Sequence, residues 1–201
     1  MSLKILGGFA RGQVVAVPKA DLIRPTSIML RRRVYDFFQD LDGVTFVDLC
    51  AGSGAMGFEA WSRGSKRVYL NEFNRHVLKI LEENRENFLV RNHHKKNGEI
   101  LCSFFAAEKW IKQFRIEYEK FSDIEKSETV IFLDPPYSEK NIYSDVIKFI
   151  LSEPWYFGQL WIESDPKKGL SQAVLTEWGL IPKKVFEQGD NYIFVTNFPQ
   201  L

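Results

Sequence analysis

Four short, strongly apolar runs, each followed by a helix-length amphipathic stretch, constrain the fold of this chain more than any other feature. "TFVDLC", "RVYLNE", "EILCSFF" and "TVIFLD" read as strands. "GAMGFEAWSRG", "NRHVLKILEENRENFLV", "AAEKWIKQFRIEYEKF" and "IYSDVIKFILS" read as the helices that follow them. Strands apolar on both faces need a layer of helices on each side, which predicts an open, mainly parallel, doubly wound α/β sheet. "GQLWIES" and "LSQAVLTEWG" continue the alternation. "KKVFEQ" and "NYIFVTNF" flank Gly189-Asp190, a hairpin-type turn, and predict a closing antiparallel pair. A length of 201 residues suits one domain with a sizeable core.

The N-terminal segment departs from this rhythm. "KILGG" and "QVVAVP" read as two short strands around a turn containing Gly and Arg. Pro25 holds "LIRPTS" extended, and Thr26 or Ser27 can cap a helix over "IMLRRRVYDFFQDL". Ile28, Leu30, Val34, Phe37, Phe38 and Leu41 approximate its inner face, which turns the arginines outward. The expected division is an N-terminal extension over 1–26 and a single catalytic domain over 27–201. Residues 1–33 carry Lys4, Arg11, Lys19, Arg24, Arg31, Arg32 and Arg33 against Asp21. That is +6 within a chain whose net charge is +1, and it suggests a surface facing a polyanion. A solvated face that binds nothing has the same composition.

Charged residues are 26% and hydrophobic residues 45%, as in a water-soluble globular chain. No apolar run approaches the roughly 18 residues of a membrane span, and the start lacks a signal-peptide pattern. Cys50 and Cys102 are the only cysteines, and both lie in apolar strand-like contexts. A disulfide framework is not expected, and a reducing cytoplasm fits.

Within "DLCAGSGAMGFE", Gly52, Gly54 and Gly57 spell G-x-G-x-x-G between the first main strand and its helix. Such a turn lies at the carboxyl edge of the sheet, where ligands settle at the topological switch point. Glu72 ends the next strand, placed to accept hydrogen bonds from a ribose diol. Loop and acid together report an adenosine-containing ligand without saying which one. At the end of the fourth strand stands Asp134-Pro135-Pro136-Tyr137. Two prolines remove two N–H donors, leaving carbonyls and the Asp134 carboxylate as acceptors beside an aromatic ring. That set suits a planar NH₂ group.

"DLCAGSG", Glu72 and "DPPY", in this order, resemble the class I S-adenosylmethionine-dependent methyltransferases that act on amines. "KILGGFARGQVVAVP", "IRPTS" with its Arg-rich helix, "VDLCAGSGAMGFEAWSRGS", "LNEFNR", "FLDPPY" and "LWIES" extend the likeness over nearly the whole chain. It is similar to the RsmD family, which methylates the N2 amine of a guanine in bacterial 16S ribosomal RNA. The resemblance implies a Rossmann-like, seven-stranded sheet with an antiparallel C-terminal hairpin and a small N-terminal hairpin. It implies a methyl transfer in which Asp134 and Pro135 accept from the amine and Tyr137 stacks on a flipped base. Asp48 and the turn Ala51, Gly52, Ser53 and Gly54 would hold the methionine part of S-adenosylmethionine. Glu72 would take the ribose, Phe73 the adenine, and Thr26 would lie near cofactor and target. Arg11, Arg24, Arg31, Arg32 and Arg33 would contact RNA phosphates. The implied partner is 16S RNA or the assembling small subunit, met in the cytoplasm by a monomer that needs no metal or membrane. Gly57 then reads as a helix-packing residue.

The chain departs from many relatives after the third strand. "LCSFFAAEKW" places phenylalanines where an acid often binds the adenine amine, leaving Ser103 or a backbone group for that contact. His93 and His94 fall in a Lys- and Asn-rich loop and are read as solvated. Three other readings stay open: an adenine-N6 methyltransferase on DNA or RNA, an NAD-dependent oxidoreductase, and a non-catalytic RNA-binding module.

Overall fold

A computed structural model describes residues 2–18, 27–94 and 98–198. The chain opens with an antiparallel hairpin of β1 (Ser2–Lys4) and β2 (Val14–Ala16), with Leu3 opposite Val15. Helix α1 (Ile28–Phe37) starts at Ser27, whose hydroxyl accepts the Leu30 N–H. The α/β part then runs β3 (Thr45–Asp48), α2 (Ala55–Ser62), β4 (Arg67–Asn71), α3 (Arg75–Arg91) and β5 (Glu99–Ser103). It continues with α4 (Ala107–Tyr118), α5 (Asp123–Ser127), β6 (Thr129–Leu133), α6 (Lys140–Leu151) and β7 (Gln159–Ser164). Helix α7 (Gln172–Glu177) leads into the closing pair β8 (Lys184–Gln188) and β9 (Asn191–Asn197).

The seven-stranded sheet has the order β5-β4-β3-β6-β7-β9-β8. Strands β3 to β7 pair in parallel, and β9 lies antiparallel between β7 and β8. The chain moves outward from β3 to β5, then returns to place β6 on the other side of β3. The switch point therefore lies beyond the carboxyl ends of β3 and β6, where a crevice opens.

Alternating side chains feed two cores, as a doubly wound sheet requires. Phe46, Phe132 and Trp161 face one layer with the hairpin, α1, α2 and α3, where Val15, Val34, Phe58 and Phe88 are buried. Val47, Ile131, Leu133, Leu160 and Ile162 face the other, against Ile111, Val146 and Leu175. Gly57 lets α2 lie flat on β4, since a Cβ there would come within 2.3 Å of Leu70 Cδ2.

Two expectations for the N-terminal helix are corrected. It ends at Phe37, short of Leu41, and its buried stripe is Leu30, Arg31, Val34 and Tyr35, with Ile28 and Phe37 exposed. Arg31 is thus 0% exposed and is no phosphate contact. Its guanidinium donates to the Lys4 carbonyl at 2.8 Å and to the Ala55 carbonyl at 3.3 Å, joining hairpin, α1 and the start of α2. Burial lowers its pKa, and the neighbouring Glu59 carboxylate opposes that shift. Helix α5 carries no signal in the periodicity, because five residues are too few for a helical period to register. Its start has a capping box, Ser122 with Glu125.

Candidate active site

A cavity of about 800 Å³ occupies the crevice at the switch point. Asp48, Ala51, Gly52, Ser53, Glu72, Phe73, Asp134, Pro135 and Tyr137 all line it, so β3, β4 and β6 bring these site residues together. Gly54 stands behind the wall. It is the N-cap of α2 at φ 80°, and a Cβ there would strike Phe58 and Leu81.

The Gly-rich turn closes on itself. Ala51 N–H donates to the Asn71 carbonyl at 2.8 Å, Gly52 N–H to Glu72 Oε2 at 2.9 Å, and Gly54 N–H to the Ala51 carbonyl at 2.7 Å. Three amides of the loop are therefore already occupied within the protein. Glu72 also accepts from Asn74 N–H at 2.7 Å. Burial raises its pKa, and these amides work against that. Asn71, buried at the end of β4, locks the turn to the β5 loop. Its amide group donates to the Leu49 and Phe105 carbonyls and accepts from the Ser103 hydroxyl and the Phe105 N–H.

Asp48 is buried at the carboxyl end of β3. Desolvation pushes its pKa well up, and the nearby Asp134 and Glu72 carboxylates add to the shift. Burial likewise keeps the Cys50 thiol protonated, so that side chain is no nucleophile. Seven of the lining residues are acidic (Asp48, Glu72, Glu108, Asp134, Glu139, Asp145, Glu163), and none of those described is basic. The cavity repels anions and suits a cation.

At the exit of β6, Pro135 is buried and Pro136 exposed. Tyr137 donates a long hydrogen bond, 3.4 Å, to Asn191 Oδ1 at the start of β9, which fixes its ring beside the cavity. Phe73 is 65% exposed and stacks on Phe104 at 5.8 Å, with the Arg75 guanidinium 5.1 Å from the Phe104 ring centre. Phe105 also reaches the cavity, whereas Ser103 does not line it.

A family model described as Conserved hypothetical protein 95 matches residues 3–194. The chain belongs to this family, the RsmD family. Ribosomal RNA small subunit methyltransferase D of Escherichia coli (strain K12) is 26% identical over 189 residues, covering 92% of this chain and 86% of that protein. The protein of the same name from Haemophilus influenzae is 25% identical over 183 residues, with 90% and 88% covered. Among solved structures, the putative methyltransferase yhhF from Escherichia coli shares the fold at TM-score 0.69 and 21% identity, covering 100% of both chains. An RNA methyltransferase from Salinibacter ruber, solved in complex with S-adenosyl-L-homocysteine, shares it at TM-score 0.54 and 13% identity, over 89% of this chain and 95% of that one.

The family's N-terminal segment has a structural job in this chain. Glu59 on α2 accepts from Leu6 N–H at 2.7 Å and Gly7 N–H at 2.8 Å, and Ser62 Oγ accepts from Ala10 N–H at 2.9 Å. Arg11 follows at the exposed turn, beside the carboxyl end of α2. That end lies about 12 Å along the helix from the Gly-rich turn, so the fold does not bring Arg11 to the cavity. Arg32 and Arg33 are exposed on α1, and Arg33 donates to the Glu187 carbonyl of β8. Thr26 and Arg24 lie outside the described residues. Among the described residues no helix is long and apolar enough to cross a membrane, and no group of three His, Cys, Asp or Glu is placed to hold a metal. His93 bonds through Nδ1 to the Val90 carbonyl.

Among the lining residues that the sequence does not mark out as individuals are Asn71, Glu108 and Glu163. Glu163 does carry a signal. It lies at the carboxyl end of an apolar run, in "LWIES", as Asp48 and Asp134 lie at the ends of theirs.

Proposed function

We propose that this chain is an S-adenosylmethionine-dependent methyltransferase acting on the N2 amine of a guanine in 16S ribosomal RNA. The observation that carries the cofactor reading is a cavity whose charged lining residues are all acidic, with occupied loop amides. A dinucleotide brings a pyrophosphate that this wall repels. S-adenosylmethionine brings a sulfonium and an ammonium that it attracts, and when bound it supplies an electrophilic methyl group. The relatives named as ribosomal RNA methyltransferases support the substrate class.

The chain's residues then divide the work. Asp48 and the 51–54 turn hold the methionine part, and ionisation of Asp48 is favoured once a cation lies beside it. Glu72, held by two amides, keeps lone pairs for the ribose hydroxyls, and Phe73 and Phe105 flank the adenine. The Asp134 carboxylate and the Pro135 carbonyl accept from the target amine, drawing its lone pair out of the ring and toward the methyl carbon. Tyr137 stacks on the base, worth about 1–3 kcal/mol at comparable sites. The methyl group that S-adenosylmethionine would supply leaves a surplus proton on the nitrogen, and Asp134 would take it. Arg32 and Arg33, with Arg11 and Arg24, would meet RNA phosphates, and Thr26 would approach cofactor and target. Residues 1–26 serve as an extension to the catalytic domain, 27–201. The protein works as a cytoplasmic monomer without metal, on free 16S RNA or the assembling subunit.

Transfer of a tritiated methyl group to 30S subunits and to protein-free 16S RNA, with mapping of the labelled base, tests this directly. Label on a guanine N2 is expected; label on adenine would give the N6 reading its place. Asp134→Ala should lower turnover at least about 100-fold while S-adenosylhomocysteine affinity changes by less than about threefold. Near-normal turnover would remove Asp134 from the acceptor role. Calorimetric binding of NAD without S-adenosylhomocysteine would sink the cofactor assignment.

A further inference from the structure

Glu163 is 3% exposed, yet it lines the cavity beside Asp134 and Tyr137. Its position follows from strand register. Strands β6 and β7 pair in parallel with Leu133 opposite Ile162, so Asp134, just past the end of β6, and Glu163, still within β7, stand at the same level. Neighbouring strands lie about 4.8 Å apart, and paired residues point to the same face. Phe132 and Trp161 fix which face that is, because both pack into the α1-side core. Asp134 and Glu163 are two residues further on and share it. Glu163 is also held rigidly. Its partner on the other side is Ile193 of β9, and its carbonyl accepts from the Tyr143 hydroxyl at 2.7 Å.

The geometry points to Glu163 as the residue that reads the N1–H of the target base and so selects guanine over adenine. This inference rests on the guanine reading proposed above. Guanine presents two adjacent donors on its Watson–Crick edge, N1–H and the N2 amine. Two carboxylates side by side on one rigid edge match them, Asp134 taking the amine and Glu163 the ring N–H. Adenine presents an amine next to an N1 lone pair. Against Glu163 that lone pair would face a carboxylate and neither group would find a donor. A site built to hydrogen-bond a substrate N–H rejects analogues that lack it far more strongly than a site that only fits their shape.

2-Aminopurine keeps the amine on C2 but carries a bare acceptor at N1 and lacks O6. The N1 interaction is therefore read from the change in guanine preference between the protein and a Glu163 variant, any contact to O6 being common to both. Small subunits are reconstituted with 16S RNA holding either guanine or 2-aminopurine at the position the tritium mapping identifies. Single-turnover methyl transfer is measured on both. The protein is expected to prefer guanine by at least about 100-fold. In Glu163→Gln the side-chain NH₂ can donate to the N1 lone pair of 2-aminopurine. The contact to guanine N1–H keeps an amide oxygen but loses its charge, so the preference for guanine should narrow at least about tenfold. A purely structural role would lower both substrates together and leave the ratio intact, which would overturn the inference. Should Glu163→Gln fail to fold, the unmodified protein can still overturn the inference. Acceptance of 2-aminopurine within about threefold of guanine would show that nothing reads N1–H. Failure of the underlying reading looks different: natural subunits would then carry no label on guanine at all.

Discussion

Asp48 illustrates how one side chain links site and stability. It stands at the carboxyl end of a strand whose four residues are all buried, and it accepts the Cys50 N–H in a long hydrogen bond of 3.3 Å. Burial, reinforced by Asp134, raises its folded-state pKa above the unfolded value of about 3.9. The folded chain therefore keeps this proton to higher pH than the unfolded chain does. No penalty exists below about pH 4; above it, stability falls as pH rises, until the folded-state pKa is passed. Asp48→Asn removes the ionisable group and should stabilise the free protein by about 1–2 kcal/mol near neutral pH, less at about pH 5. Urea denaturation at the two pH values checks the sign. A variant less stable than the parent at neutral pH would show that the carboxylate is a net structural asset.

At the scale of elements, the junction of hairpin, α1 and α2 is densely cross-linked by polar groups away from the cavity. Glu59 is fully buried, takes two hairpin amides, and pairs with Arg63 at 3.0 Å within reach of the Arg31 charge. Gly8 completes the fit. Its φ is +72°, and a Cβ would lie 1.9 Å from the Ser62 carbonyl oxygen. Glu59→Ala leaves half-buried Arg63 and two amides without this acceptor and removes the carboxylate that offsets the buried Arg31 charge, and should cost about 3–5 kcal/mol in chemical denaturation. A loss below about 1 kcal/mol would mean that the hairpin docks mainly through Ile5, Ala10 and Val15, which are buried in the same core.

The whole molecule separates its charges: acids line the crevice, while Arg32 and Arg33 on α1 and Arg11 on the hairpin turn stay exposed. A small net charge of +1 conceals this arrangement. Replacing Arg32 and Arg33 with Gln should weaken RNA binding evenly across sequences. It should also flatten log K against log salt by roughly 0.7–0.9 for each phosphate that is no longer neutralised. An unchanged slope in filter binding would leave both side chains as ordinary solvated charges.

Local signals specify much of this protein. Period-two and period-3.6 patterning, with glycines and prolines between, marks out the strands and helices. It also places Asp48, Glu72 and Asp134 at strand ends, because such features act over a few residues of chain. The RsmD-type motifs are equally legible. Other properties need the tertiary structure. The "RRR" run looks like three equivalent cations, yet α1 turns Arg31 inward, on the face whose Tyr35 packs against Trp161 of the distant strand β7. The first two amides of "AGSG" read as available until Asn71 and Glu72, at the end of the next strand, are seen to occupy them. Glu163 sits 29 residues beyond Asp134 in the chain but beside it in space. Strand order and register, which arise from contacts between distant segments, decide such neighbours, and no local pattern encodes them.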